Sequence, residues 1–217
     1  EAIELPTDYK RPKELTYEGG IYTTEISGDL LKQLKALGES EGATLFMTLL
    51  SILNIVLYKN SGQKDLVIGS PIANRQYEEI EGLIGFFVNT LALRSKIDPE
   101  ENFRSFLRKV KEMTLGAYEH QDVPFEQLVD HLNVQRSLNL NPVFQVMFTL
   151  QNIGGSALGF EDLKIEEWLG SKHHTAKFDL SVQGYEADGK LYISIDYMRD
   201  LFSLETVERI GKQIERV

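Results

Sequence analysis

Two adjacent histidines followed by a carboxylate are the residues in this sequence that most readily suggest chemistry. His173 and His174 precede Asp179, with four residues between the second histidine and the aspartate. Imidazole and carboxylate groups at close range serve in acid–base catalysis and in metal binding. The surrounding pattern is that of a strand, however, and adjacent residues of a strand point to opposite faces of a sheet. The histidine pair is therefore a poor metal site, and we predict no metal-binding residues.

The sequence lacks the short motifs of several other enzyme classes. It contains no cysteine, which excludes disulfides, thiolate metal sites and a cysteine nucleophile. It also contains no Walker A loop, no dinucleotide-binding fingerprint, no G-x-S-x-G nucleophile elbow and no H-E-x-x-H zinc motif. If thioester chemistry takes place here, a partner must supply the sulfur.

Length and composition indicate one sizeable globular domain or one large lobe. The chain has 217 residues, of which 42% are hydrophobic and 26% charged. A net charge of −10 argues against binding to nucleic acid, which depends on clustered Lys and Arg. The most apolar stretch, 45–58, is shorter than the roughly 20 residues that a membrane span needs. With charged residues so close to the N-terminus, we expect no signal peptide, no membrane partner and a cytoplasmic location.

Hydrophobic periodicity predicts a mixture of strands and helices. Strands are predicted at 17–26, at 66–71, at 144–150 and on both sides of Asp188-Gly189, a strong hairpin signal. The helix signals are Gly38 at the end of a first helix, Thr44 capping a buried second one, Asp98-Pro99 opening a long amphipathic one, Asp122 before a short one, and Ser203 capping the last. Since the strands and helices do not alternate regularly, the fold class is predicted to be α/β, a two-layer α/β sandwich. Residues 1–14 are predicted to be a linker or lobe-crossing segment.

The stretch from Leu66 to Arg94 carries the most specific pattern in the chain. The pattern reads Ile68-Gly69-x-Pro71-x-Ala73-Asn74-Arg75, followed by Glu81-Gly82-Leu83-Ile84-Gly85-x-Phe87-Val88-Asn89-Thr90. Later segments read His120-Gln121-Asp122-x-Pro124-Phe125-Glu126, Arg136-Ser137-x-Asn139-x-Asn141-Pro142-x-Phe144-Gln145 and Lys177-Phe178-Asp179-Leu180. In order and spacing, these segments resemble motifs in the C-terminal half of the condensation domains of nonribosomal peptide synthetases. The resemblance spans nearly the whole chain.

This resemblance implies a fold, a reaction and a set of partners. The complete domain is expected to have two lobes of chloramphenicol-acetyltransferase-like fold around a V-shaped cleft with a tunnel between them. Donor and acceptor peptidyl carrier proteins are expected to insert phosphopantetheine arms from opposite sides, so that the acceptor amine attacks the donor thioester. No cofactor is expected to bind this chain directly, because the arms belong to the carrier proteins. The other implied partners are the N-terminal lobe and a neighbouring adenylation domain, in the biosynthesis of an antibiotic or other secondary metabolite.

The family's catalytic H-H-x-x-x-D-G motif belongs to the N-terminal lobe and does not occur in this sequence. His173, His174 and Asp179 do not supply it, because their spacing is one residue longer and Leu180 replaces the glycine. We therefore expect residues 15–217 to be the C-terminal subdomain, without a catalytic residue of its own and inactive when alone.

Three residues are implied to support the active site. The resemblance places Arg75 opposite the aspartate of the missing motif, where a guanidinium can hold a carboxylate through two hydrogen bonds. Without the other lobe, Arg75 is expected to have no partner. Asn89 and Asn141 are candidates for lining the tunnel, although a turn-forming Asn-Pro pair explains Asn141 equally well. The surface that meets the other lobe is expected after Gly82 and at 152–159.

Two alternatives share the fold. One is a non-catalytic condensation-like module that recruits other proteins, and the sequence upstream of Glu1 would distinguish it from a catalyst. The other is the lobe of an epimerization domain, although 86–90 and 144–148 resemble condensation domains more closely. Asn74 together with Arg136-Ser137 resembles the subtype that accepts a D-configured donor. The sequence identifies neither the two amino acids nor the peptide product.

Overall fold

Seven strands form one mixed sheet in the part of the chain that the structure describes. The computed structural model describes residues 2–134, 137–151 and 174–217. The strands are β1 Glu18–Ile26, β2 Asp65–Ile72, β3 Asn89–Lys96, β4 Val146–Gln151, β5 His174–Thr175, β6 Leu180–Ala187 and β7 Lys190–Met198. Their order across the sheet is β3-β2-β4-β6-β7-β1-β5. Strand β4 pairs in parallel with β2 and β6, and the other neighbours are antiparallel.

The described residues also form six helices, which complete a two-layer α/β sandwich and confirm the predicted fold class. They are α1 Gly28–Ser40, α2 Leu45–Ser61, α3 Glu78–Glu81, α4 Phe103–Glu119, α5 Phe125–His131 and α6 Leu204–Arg216. Leu50 and Val56 of α2 are completely buried in the same hydrophobic cluster as Leu66 and Ile68 of β2. Val67, between those two strand residues, is less buried, because alternate residues of a strand face opposite sides. Among the described residues no single helix has the length and apolar composition of a membrane span, and only the bent pair of α1 and α2 meets both criteria together.

Local signals set several element boundaries correctly. Thr44 caps α2, because its side chain accepts a hydrogen bond from the Met47 N–H. Ser203 caps α6 in the same way. Asp188 and Gly189 both have positive φ, 51° and 73°, as a two-residue type I′ turn between β6 and β7 requires. These three predictions are confirmed.

Two other predicted helix boundaries are wrong. Gly38 does not end α1, which continues to Ser40. The missing side chain lets α1 approach α2, since a Cβ at Gly38 would lie 2.8 Å from Thr48 Oγ1. Helix α4 does not begin at Asp98-Pro99 but after Asn102, whose Oδ1 accepts the Ser105 N–H in the first turn at 3.0 Å.

Asp122 was predicted to start α5, and this prediction is also wrong. The helix begins after Pro124 without a side-chain cap from its own N-cap residue. Asp122 instead accepts a hydrogen bond from Gln76 Nε2 at 3.1 Å. The N–H of Phe125, the first residue of α5, donates to Asn89 Oδ1 at 3.1 Å. Asn89, 36 residues earlier in the sequence, thus accepts a backbone N–H at the start of this helix. A local sequence pattern cannot reveal such a partner.

The N-terminal segment packs against the sheet and helices although it forms neither strand nor helix over residues 2–14. Ile3 is buried in the hydrophobic core. Asp8 accepts hydrogen bonds from Ser203 N–H at 2.8 Å and Thr206 Oγ1 at 2.9 Å, at the start of α6. The Ser203 backbone N–H lowers the pKa of the Asp8 carboxyl. The role of residues 1–14 as a lobe-crossing segment stays a prediction.

Candidate functional site

A groove lies on the face of the sheet opposite the main core. Its volume is about 1200 Å³, and it is bounded by β2, β3, α5 and residues 137–143, which we call the wall segment. The apolar residues that line it include Val67, Ala92, Leu128, Leu132, Leu140 and Val143. Asp65 and Arg94 also line it and form a bidentate ion pair at 2.7 and 2.8 Å. Polar and apolar groups thus line the groove in nearly equal measure.

Three aromatic rings attach α5 and the wall segment to the sheet. Phe144 is 2% exposed, and its ring centroid lies 5.3 Å from that of Phe125 in α5 and 5.5 Å from that of Phe178. The Phe144 ring covers Gly69 of β2, where an added Cβ would lie 2.2 Å from Phe144 Cε2. The motif glycine therefore serves close packing of a ring against the strand.

Asn89 joins the start of β3 to the start of α5. Its Nδ2 donates to the carbonyl oxygens of Gln121 and Val123, both at 2.8 Å. Its Oδ1 accepts from the N–H groups of Thr90 at 2.9 Å and Phe125 at 3.1 Å. Both N–H donors of the amide are used, and its oxygen accepts twice. Asn89 thus positions α5 along the groove, while its predicted place in the tunnel lining stays a prediction.

Replacing Asn89 with alanine is expected to lower the free energy of unfolding by about 2 kcal/mol, because four hydrogen bonds are lost, three of them partly buried. The measurement is urea denaturation. Asn102→Ala, which removes a single helix-capping bond, is the matched control and is expected to cost about 1 kcal/mol. If Asn89→Ala lowers the free energy of unfolding no more than Asn102→Ala does, the four bonds of Asn89 contribute little to stability.

Asn141 lines the groove and ties the wall segment to the loop before β6. Its Nδ2 donates to the Lys177 carbonyl at 2.8 Å, and its own carbonyl accepts from Gln145 Nε2 at 2.9 Å. Gln145 is 1% exposed, and its Oε1 accepts the Ile3 N–H at 2.7 Å. The sequence analysis, which predicts a strand over 144–150, assigned Gln145 no such role. The only local signal was an amide between the buried residues Phe144 and Val146.

Val143 of the wall segment has a left-handed backbone with φ of 70°. A β-branched residue rarely adopts this conformation, and holding it costs about 1–3 kcal/mol. Such a conformation persists only where surrounding contacts fix the backbone. Contacts with neighbouring residues therefore hold the wall segment in this conformation, which the backbone preference of Val143 alone would not favour.

Arg75 has several partners within this chain, so the expectation that it lacks one is wrong. It donates from Nη1 to the carbonyls of Ile80 and Glu81 and from Nη2 to that of Leu83, the last at 2.8 Å. Its guanidinium also lies 4.2 Å above the centre of the Phe87 ring, a cation–π arrangement. Arg75 braces the loop between β2 and β3. Its predicted contact with a second lobe stays a prediction.

The segment after Gly82 exposes large apolar side chains. Ile84 and Phe86 are 105% and 93% exposed, and Leu83 and Val88 are about half exposed. Contiguous exposed apolar groups of this kind are typical of interaction surfaces. This is one of the two segments predicted to meet another lobe. The other, 152–159, lies outside the described residues.

The histidines of the described residues occupy structural positions. His120 caps the C-terminus of α4, and His131 is the last residue of α5. His174 Nε2 lies 3.2 Å from Asp196 Oδ1, and His173 lies outside the described residues. Within 2–134, 137–151 and 174–217, no group of three or more His, Cys, Asp or Glu side chains could hold a metal ion.

Comparisons with known proteins agree with the sheet, the helices and the motifs. The family model described as "Condensation domain" matches residues 1–217. Tyrocidine synthase 3 of Brevibacillus parabrevis is 43% identical over 209 residues, which cover 96% of this chain and 3% of that protein. A holo four-domain nonribosomal peptide synthetase bound to AMP and glycine superposes with a TM-score of 0.86 at 25% identity, over 97% of this chain and 17% of that one. The X-domain from teicoplanin biosynthesis gives 0.88 at 24% identity, over all of this chain and 50% of that one.

The fold is thus the α/β sandwich of the chloramphenicol-acetyltransferase-like class. The chain belongs to the condensation-domain family, and the family predicted from the motifs is confirmed. It spans only 3% to 6% of the length of the relatives that it matches.

Proposed function

We propose that this chain is the C-terminal lobe of a nonribosomal peptide synthetase condensation domain, with 15–217 as the subdomain and 1–14 as the segment that crosses between lobes. The observation that carries the proposal is the convergence of three motif segments on one groove. Gly69, Phe125 and Asn141 come from segments far apart in the sequence, yet each belongs to or directly supports a boundary of the groove. A match to half of the X-domain chain supports the assignment to a single lobe.

The proposed reaction of the whole domain is peptide-bond formation between two thioesters. The acceptor amine nitrogen attacks the carbonyl carbon of the donor thioester, so that a C–N bond forms and the C–S bond breaks. The proton lost by the amine ends on the departing sulfur, which leaves as the thiol of the donor arm. The elongated peptide then remains on the acceptor carrier protein. Positioning two tethered reactants can supply about 7–11 kcal/mol of barrier reduction. We assign that positioning to this lobe and the proton transfer to the histidine motif outside it.

The proposed partners follow from this division of work. Donor and acceptor peptidyl carrier proteins bring the phosphopantetheine arms, and a neighbouring adenylation domain charges them. The N-terminal lobe is proposed to cover the exposed side chains of Ile84 and Phe86. A cytoplasmic setting is part of the same proposal.

Arg75 is proposed to reach the aspartate of the histidine motif in the other lobe. Its three hydrogen bonds use Nη1 and one hydrogen of Nη2. Among the described residues Nε and the second Nη2 hydrogen have no hydrogen-bond partner, and these two donors form an edge that can bind a carboxylate. The loop bonds of Arg75 would orient this edge before the lobes meet.

A condensation assay on the parent domain tests the proposed function. The domain is supplied with aminoacylated donor and acceptor carrier proteins, and intact-protein mass spectrometry follows the acceptor. We expect the acceptor to gain the mass of the donor residue. If the mass does not change, the donor residue is released and its configuration is determined by chiral chromatography. Unchanged configuration would favour the recruitment module, and inversion at the α-carbon would favour an epimerization domain.

A further inference from the structure

Residues 2–12 form a strap that is attached to the lobe at several points along its length. Near its start, the Ile3 N–H donates to Gln145 Oε1 at 2.7 Å. In its middle, Asp8 accepts bonds at the start of α6. At its end, Arg11 pairs with Asp179. The first attachment reaches Gln145, two residues after the wall segment, and the last reaches Asp179, in the loop before β6.

The Arg11 guanidinium connects three segments that are distant in the sequence. Its Nη1 donates to Asp179 Oδ1 and to the Asn139 carbonyl, both at 3.0 Å, and its Nη2 donates to Asp179 Oδ2. Asn139 Nδ2 returns a bond to the Pro12 carbonyl at 2.7 Å. Asp179 is 3% exposed, so its carboxylate depends on this partner for compensation of its charge. The pair therefore fixes the strap, the wall segment and the loop before β6 relative to one another.

The wall segment needs such external attachment. Val143 holds a left-handed backbone that its own side chain disfavours. The turn at Ser137 to Leu140 is closed by a single isolated bridge and belongs to no strand. Two of the side-chain bonds that hold the segment from outside run from Arg11 to Asn139 and from Asn141 to Lys177. Losing the Arg11 bond would leave the Asn139 end tied mainly by its bond to Pro12.

We propose that Arg11 and Asp179 are positioning residues that hold the wall segment and thereby set the shape of the groove for carrier-bound substrates. The inference deepens the proposed function and rests on it for the identity of the substrates. Losing the Arg11–Asp179 pair would lower the fraction of molecules in which the wall segment is correctly placed. If only a fraction of molecules has a formed wall, the apparent affinity falls by that fraction, whereas bound substrate reacts as before.

Hydrogen exchange on the full 217-residue chain tests the attachment itself. Arg11→Met is expected to speed exchange in a peptide covering 137–145 at least 10-fold, with exchange in α2 unchanged. Arg11→Lys keeps the charge but cannot hold both carboxylate oxygens and a carbonyl, so about a 3-fold increase is expected. Arg94→Met removes another bidentate Arg–Asp pair, one that links two strands already joined by backbone bonds, and should leave the peptide unchanged within 2-fold. Unchanged exchange in Arg11→Met would overturn the proposal.

Kinetics of the parent domain test the positioning role. Arg11→Met is expected to raise KM for the carrier-bound substrates at least 5-fold and to leave kcat within 2-fold of the wild-type value. Arg11→Lys is expected to raise KM by a smaller factor. Lys190→Met, which breaks a surface pair with Glu25 on the β1–β7 side, is the activity control. Faster exchange with an unchanged KM, or with kcat falling as much as KM rises, would overturn the positioning role. If the wild-type parent domain forms no peptide, the proposed function fails, and the exchange experiment alone decides whether Arg11 holds the wall segment.

Discussion

Arg75→Ala is expected to destabilise the parent domain by about 3–5 kcal/mol and to lower its condensation rate, because a buried carboxylate in the other lobe would lose its partner. In the isolated 217-residue chain, the same change is expected to cost only about 1–2 kcal/mol. There it removes bonds to carbonyls of the half-exposed loop, which water can replace.

Urea denaturation of both proteins gives the free energy of unfolding that Arg75→Ala costs in each, and the difference between the two costs is the test. Arg75→Lys should behave like the alanine variant in the parent domain, because an ammonium cannot hold a carboxylate bidentately while bonding to several carbonyls. Equal losses in the isolated chain and the parent domain would assign Arg75 a purely local role and remove the cross-lobe contact from the account.

Gly69→Ala is expected to lower the free energy of unfolding by about 3 kcal/mol, at the upper end of the cost of overpacking a core. The added Cβ would lie 2.2 Å from the Phe144 ring. That ring has little freedom to move, since Phe125 and Phe178 pack against it and it is almost completely buried.

The same substitution elsewhere in the chain controls for backbone effects. Gly116 lies within α4, and a Cβ there would meet nothing within 4 Å. Gly116→Ala is therefore expected to stabilise the protein by about 0.5–1 kcal/mol through helix propensity. Combining Gly69→Ala with Phe144→Leu should cost less than the sum of the single changes, because the smaller side chain leaves room for the Cβ. Additive losses would show that the ring and the glycine do not interact.

The sequence predicts the parts of the fold that depend on neighbouring residues. The caps at Thr44 and Ser203 and the turn at Asp188-Gly189 are local choices that follow from hydrogen bonding and backbone sterics. The two-layer architecture was predicted from hydrophobic periodicity and the irregular alternation of strands and helices, and the family from the order and spacing of the motif segments.

The remaining features depend on partners far away in the sequence. Asn89 satisfies a helix that begins 36 residues later, and Gln145 accepts a bond from Ile3. The prediction that Arg75 lacks a partner is wrong because its acceptors are backbone carbonyls. Every residue carries a carbonyl, so no sequence motif marks those that Arg75 binds. Most of the candidate site is built from such bonds, so its geometry could not be read from residue types.

The central claim is that this chain positions substrates and does not carry the catalytic group. The most direct measurement is the carrier-protein condensation assay on the isolated 217-residue chain and on the parent domain, in which the upstream half is joined to it in cis. We predict no dipeptidyl carrier protein from the chain alone and its formation when both halves are present. Dipeptidyl product from the isolated chain would contradict the account.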